Sequence, residues 1–368
     1  MRHVTLFVLL LISSGCSHVS RIESLESSSI KPTEMKNGEK ERSLIDQQFS
    51  QALDQGKESE TFLSNGLFFK GMDAALRGDV ESSTLFFQEL VKINPQDNYM
   101  RKKLAMEYIR AGKLEESISL LRDVFEKSRY ADVKAGLVLG GVYTTLGKAP
   151  EAQTTYKNIL SVSQDEDACV FLAKNYWVGK NAKEAEKVLM GCEKKQPKVA
   201  EYSYYLGKIS EERGDKKNAM KLYEKALKIE AAYYKAALAI GMMYEAQENP
   251  KAAITVYEKF LKDNEEVHPV IARLVQLLLS QGDNIRVIPY LEALTSIDPD
   301  DLNYKVKLGV LYADQKQYKS AVGIFNEILE VVPNSDKVLF FMGSVYQEMN
   351  DLPMAIDTFS KITLQSKL

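Results

Sequence analysis

The chain is poor in the residues that carry out chemistry. Its 368 residues hold three Cys and three His. His3 and His18 fall near the N-terminus, so His268 is the only His beyond it, with no Cys close by in sequence. No metal-ligand spacing, phosphate-loop signature or nucleophile-elbow signature occurs. The sequence therefore assigns no catalytic residue, no metal site and no cofactor, and it reads as a non-enzyme. Charge of one sign is also lacking. Lys and Arg number 48 against 51 Asp and Glu, for a net charge of −3. That balance leaves no cation excess to neutralise phosphates, which argues against a role on nucleic acid or on an anionic membrane surface. Long apolar runs are scarce. Val4 to Ile12, broken only by Thr5, would rise about 14 Å as a helix, well short of a bilayer core of about 30 Å. With one Trp, 10 Pro and 45% hydrophobic residues, the composition is that of a folded chain, and its length alone suggests about two domains. The 19 Tyr are the excess that needs a reason.

The start of the chain has its own grammar. A basic Met1-Arg2-His3 precedes the apolar run, and Ser13-Ser14-Gly15-Cys16-Ser17 follows it. This resembles the lipobox of bacterial lipoproteins, although Ser13 stands where that family prefers Leu. The resemblance implies a signal peptide over 1–15 and lipidation of Cys16. It also implies a membrane anchor and, with Ser17 after the Cys, an outer-membrane lipoprotein facing the periplasm. The alternative is a plain signal peptide whose cleavage site adjoins a Cys. Residues 16–60 are rich in Ser, Glu and Lys and read as a flexible tether. Within it, Leu44, Ile45, Phe49 and Leu53 recur at helical spacing and mark a short amphipathic helix over 42–55.

A period fills the rest. Gly71, Ala105, Gly140, Ala173, Gly207, Gly241, Val275, Gly309 and Gly343 follow one another at steps of 34, 35, 33 and then 34 throughout. Twelve residues after them stand Ser83, Ser117, Ala152, Ala185, Ala219, Ala253, Val287, Ala321 and Ala355. Four further on stand Phe87, Leu121, Tyr156, Leu189, Tyr223, Tyr257, Leu291, Phe325 and Phe359. Small residues at two points let two antiparallel helices cross closely, with a Tyr of the first helix and the aromatic or Leu of the second filling the space beside them. Gly78, Gly112, Gly147, Gly214 and Gly282 suit the turn between helices. Pro150, Pro250 and Pro353 suit the start of the second helix, and Pro95, Pro197, Pro299 and Pro333 its end.

This pattern resembles the tetratricopeptide repeat, a helix–turn–helix unit of 34 residues. The resemblance implies an all-α fold, a right-handed solenoid of about nine repeats over 64–366, with starts near 64, 98, 133, 166, 200, 234, 268, 302 and 336. It also accounts for the tyrosines. The early Trp usual in the repeat is replaced where Arg101, Gly136, Cys169 and Ser203 stand. Repeat seven departs most, since Val275 and Val287 should push its helices apart and Pro289 falls within its second helix. Otherwise the period predicts one array without an internal boundary.

In this family the first helices line a concave face that takes a protein or peptide partner. The resemblance puts Phe68, Met72, Lys102, Met106, Ile109, Leu137, Val170, Lys174, Trp177, Tyr204, Lys208, Leu238 and Met242 on that face. It continues through Ala272, Gln276, Leu279, Val306 and Val310. The earlier repeats are the more apolar, which suits an amphipathic helix or an extended apolar segment; the 42–55 helix is a rival occupant. The carboxylate-clamp pattern is absent, because Met106 stands where an Asn is expected. Cys169 and Cys192 fall in the two helices of repeat four, within reach of a disulfide on the hairpin count, with two buried free thiols as the alternative. Nothing polar caps the last helix beyond Thr358, Lys361 and Thr363, so a partner or a second copy is expected there. The expected role is a membrane-anchored periplasmic scaffold for a cell-envelope machine (pilus or secretin, outer-membrane assembly, or polysaccharide export). The alternative is a regulatory or substrate-recognition subunit of an envelope enzyme.

Overall fold

The structure, a computed structural model, describes residues 57–363 and, ahead of them, Gln47 and Gln51. The expected signal peptide, Cys16 and most of the tether lie outside the described residues, as does the 42–55 helix apart from Gln47 and Gln51. The described residues hold eighteen helices and no strand. The chain divides after Pro197 into two compact units.

In the first unit the helices are α1 (Lys57–Leu76), α2 (Val80–Ile93), α3 (Asn98–Arg110), α4 (Leu114–Lys127), α5 (Val133–Thr145), α6 (Ala149–Val162), α7 (Glu166–Val178) and α8 (Ala182–Lys195). The second unit continues with α9 (Ala200–Glu212), α10 (Lys216–Ile229), α11 (Tyr234–Glu245), α12 (Pro250–Leu261), α13 (His268–Ser280), α14 (Ile288–Ile297), α15 (Leu302–Asp314), α16 (Tyr318–Val331), α17 (Asp336–Glu348) and α18 (Leu352–Ser360). Odd and even helices pack as pairs, and within each unit each pair packs on the next.

The ends of these helices follow from local chemistry. α2, α8, α14 and α16 each stop two residues before Pro95, Pro197, Pro299 or Pro333. Asp and Asn side chains at Asp79, Asp132, Asp165, Asn181, Asp215, Asn249 and Asp351 accept a backbone N–H of the first turn. In all nine pairs the turn between the helices passes through a residue of positive φ. Gly serves in five of them, but Lys180, Glu248, Lys316 and Asn350 take the same conformation with φ between 57° and 60°.

The helix crossing is a matched pair of residues. Where the first helix has Gly, the residue sixteen further on is aromatic: Gly71/Phe87, Gly140/Tyr156, Gly207/Tyr223, Gly241/Tyr257, Gly309/Phe325 and Gly343/Phe359. Each ring lies on its Gly; a Cβ built on Gly207 would stand 2.5 Å from Tyr223 Cε1. Where the first helix has Ala or Val, the partner is Leu: Ala105/Leu121, Ala173/Leu189 and Val275/Leu291, all buried. The volume at the crossing is thus held roughly constant, as close packing demands.

Repeat seven obeys this rule, so its Val275 is matched by Leu291 and replaces no needed gap. Val287 is fully buried. Pro289 does not interrupt the second helix. α14 begins at Ile288, with residues 284–287 in a turn and Pro289 in its first helical turn. There the missing N–H costs no helical bond, because the first four donors have no intrahelical acceptor.

The cores sit between the helices. Phe87, Leu121, Phe125, Leu139 and Ile159 lead the first unit, and Tyr223, Tyr257, Ile271, Leu274 and Phe325 the second. Thr358, expected to soften the outer face of the last helix, is instead buried and donates its hydroxyl to the Met354 carbonyl at 2.8 Å. Leu352, Met354 and Ile356 are the exposed large apolar residues of α18.

Candidate partner-binding faces

In the first unit, the expected lining residues divide into two groups. Phe68 and Met72 on α1, Lys102 and Met106 on α3, Leu137 on α5, and Lys174 and Trp177 on α7 are half-buried. Ile109 and Val170 are corrections, since both are core, at 8% and 2% exposure. Steps of three (Met106 to Ile109) and four (Val170 to Lys174) carried them off the open face into the core. Phe68 packs its ring against Phe69, Phe87 and Tyr99, while Phe69 and Tyr99 remain largely exposed. Lys102 is engaged within the chain: its Nζ lies 2.5 Å from Asp132 Oδ2, in the next pair. Lys174 stands over the Phe171 ring at 5.8 Å.

In the second unit, Tyr204, Lys208 and Leu238 are half-buried and Met242 is exposed. Tyr204 is the centre of a ring cluster with Tyr205, Tyr223 and Tyr233, with centroids 5.1–5.8 Å apart. Lys208 is tied to Glu211 at 3.1 Å, and that carboxylate accepts the Tyr223 hydroxyl at 2.6 Å. The next pair repeats the device: Tyr257 donates to Glu245 at 2.7 Å, and Arg273 clasps the same carboxylate through Nε at 3.0 Å and Nη2 at 2.7 Å. Burial, reinforced by these carboxylates, holds the Tyr223 and Tyr257 hydroxyls well above the usual phenol range. They are neutral donors at any physiological pH.

Open clefts lie between the first helices of the later pairs. One of about 510 Å³, between α13 and α15, is lined by Ala272, Arg273, Gln276, Leu279, Tyr304 and Lys307. Another of about 360 Å³, between α15 and α17, is lined by residues including Val310, Phe341 and Ser344. Ala272, Gln276, Leu279 and Val310 are positions that the lining rule names. Ala272 and Ser344 are among the small side chains that line them.

The two cysteines are joined. Cys169 on α7 and Cys192 on α8 form a disulfide with Cα atoms 6.6 Å apart, so the alternative of two free thiols does not hold in this structure. Among the described residues, no three His, Cys, Asp or Glu side chains group to hold a metal ion. Among the same residues, no helix is long and apolar enough to cross a membrane.

The tetratricopeptide repeat family matches residues 200–233, 234–264 and 305–335. These matches fall on α9–α12 and α15–α16, three of the helix pairs described above. The fold is an all-α tetratricopeptide-repeat solenoid. Similar curated proteins include the BBSome complex member BBS4 of Bos taurus, 20% identical over 298 residues, which cover 81% of this chain and 57% of that protein. The chain thus spans little more than half the length of that relative. Superkiller protein 3 of Schizosaccharomyces pombe is 26% identical over 176 residues, covering 46% of this chain and 13% of that protein. Among solved structures, a tetratricopeptide repeat protein from Parabacteroides merdae covers 77% of this chain and 98% of its own at 15% identity, with a TM-score of 0.38. The crystal structure of MamA covers 44% of this chain and 95% of its own at 21% identity, with a TM-score of 0.37.

Proposed function

We propose that the chain is a non-catalytic scaffold that binds protein segments on the faces of its first helices. The observation that carries this reading is the cleft between α13 and α15, where small and apolar side chains lie beside Tyr304, Gln276 and Lys307. A concave wall of mixed apolar and polar groups suits an amphipathic helix or an extended peptide. The Cys16 lipobox resemblance extends the reading to an envelope lipoprotein facing the periplasm, where a disulfide such as Cys169–Cys192 persists. On this reading the scaffold serves assembly of a cell-envelope machine, and the exposed Leu352 and Ile356 of α18 seat a further partner or a second copy. A second reading, a subunit of a multiprotein complex outside the envelope, is favoured by the likeness to a BBSome complex member.

Filling the cleft tests binding. Ala272, half-buried beside the core cluster, faces the cleft, and Ala272→Trp should abolish recovery of co-purifying partners while the helical circular dichroism shows that the variant still folds. Unchanged partner recovery by the folded variant would count against this cleft. For the anchor, Cys16→Ser should release the protein from membranes into the soluble fraction; a wild-type protein that is already soluble ends the anchor idea.

A further inference from the structure

Charge is spread unevenly over the second helices of the second unit. α10 carries Lys216, Lys217, Lys221, Lys225 and Lys228 against the single carboxylate Glu224. All five lysines are exposed, while Ala219, Tyr223 and Ala226 hold the opposite side of the helix in the core. The later second helices α14, α16 and α18 each carry more carboxylates than cations. α12 repeats the basic stripe: Lys251, Lys259 and Lys262 stand 34 residues after Lys217, Lys225 and Lys228, and all are exposed. Its Glu258 is taken up by Arg286 at 2.5 Å, so it does not neutralise the lysines. Val256 of α12 packs on the cluster that holds Ala219, Tyr223 and Ala226, which makes the two stripes neighbours.

The type of cation identifies the partner. Lys217, Lys221 and Lys228 run along one face of α10 over about 16 Å. They are hydrated point charges on flexible stems, without the fork of Arg that reads phosphates bidentately. No exposed aromatic stands on α10 to stack a base, its one ring being the buried Tyr223. Lys is depleted from the cores of protein interfaces. An exposed row of lysines suits a broad, diffuse negative surface. We propose that the lysine face of α10 and α12 docks on an anionic phospholipid bilayer. The small net charge of the whole chain conceals this patch, because it averages the stripe with the acidic helices that follow.

The test is sedimentation of the full-length protein with vesicles of phosphatidylcholine alone or of phosphatidylcholine and phosphatidylglycerol, at two salt concentrations. Neutral vesicles give the contribution of any other membrane-binding segment. The proposal expects stronger binding to the anionic vesicles, weakened by salt. Each lysine near an anionic leaflet is worth roughly fivefold in partition, so Lys217→Gln, Lys221→Gln and Lys228→Gln together should lower the anionic increment roughly 100-fold. A control triple at the exposed Lys113, Lys134 and Lys148 should leave it nearly unchanged. Equal binding to both vesicle types, or equal loss in the two triples, overturns the proposal. So does binding of a DNA oligonucleotide by the stripe with no increment on anionic vesicles.

Discussion

At the residue scale, the pairing of Gly with an aromatic ring is the main finding. The sequence shows small residues recurring with the period, and shows aromatics or Leu sixteen residues later. Only the structure shows why the two alternate together: the ring of Tyr223 occupies the volume that a Cβ on Gly207 would take. Gly207→Ala alone should therefore destabilise by about 1–3 kcal/mol through overpacking. Tyr223→Leu alone should cost about 2–5 kcal/mol, because it opens a cavity and orphans Glu211. The double variant recreates the Ala/Leu crossing found at Ala173/Leu189, so its loss should be well below the sum of the two. Denaturant unfolding of the single and double variants checks this; strict additivity would show that the two residues do not share the crossing. The binding residues were less legible. Spacing put Ile109 and Val170 on the open face, but both are core, and it named Lys102 without its partner Asp132, which arrives thirty residues later.

At the element scale, tyrosines of three first helices tie their pair to the one before. Tyr108 accepts from Gln88 of α2 at 2.9 Å, Tyr143 accepts from Arg122 of α4 at 2.7 Å, and Tyr312 donates to Glu292 of α14. This is a reason for Tyr rather than Phe at that place, and it was invisible in a sequence where the partner residue changes from pair to pair. Helix ends were largely legible, because Pro, Gly, Asp and Asn set them through local backbone chemistry. Repeat seven was misread for the same reason that it folds: Pro289 moves the start of α14 to Ile288 rather than breaking the helix. The α7–α8 pair carries the disulfide, which closes a separation of 23 residues. Replacing Cys169 and Cys192 together by Ala should lower stability by about 3 kcal/mol, mainly by freeing the unfolded chain. Thermal melts of wild type and variant check this, and reduction of the wild type should shift the curve the same way.

At the scale of the whole molecule, buried phenols spread over both units link stability to alkaline pH. Burial pushes Tyr156 up to about 12, and Tyr312, which also faces Glu292, up to about 12. Tyr205, Tyr223, Tyr233 and Tyr257 are also raised by burial. An unfolded Tyr ionises near pH 10. A raised folded value means that this stabilisation is complete below about pH 10 and is lost as pH rises toward 12. Tyrosinate absorbance and loss of helical circular dichroism should then rise together in that window. Ionisation of most tyrosines well before the helices melt would contradict the buried cluster.

The period predicted the all-α repeat fold from sequence. The central claim is that partners bind on the first-helix faces. Photo-crosslinking residues placed singly at Met106, Trp177 and Ala272, and for comparison at Glu115 and Lys319 on second helices, test it in the living cell. The account predicts that the same partner is captured from first-helix positions and not from second-helix ones. Capture from Glu115 and Lys319 alone, with Met106, Trp177 and Ala272 silent, would contradict it.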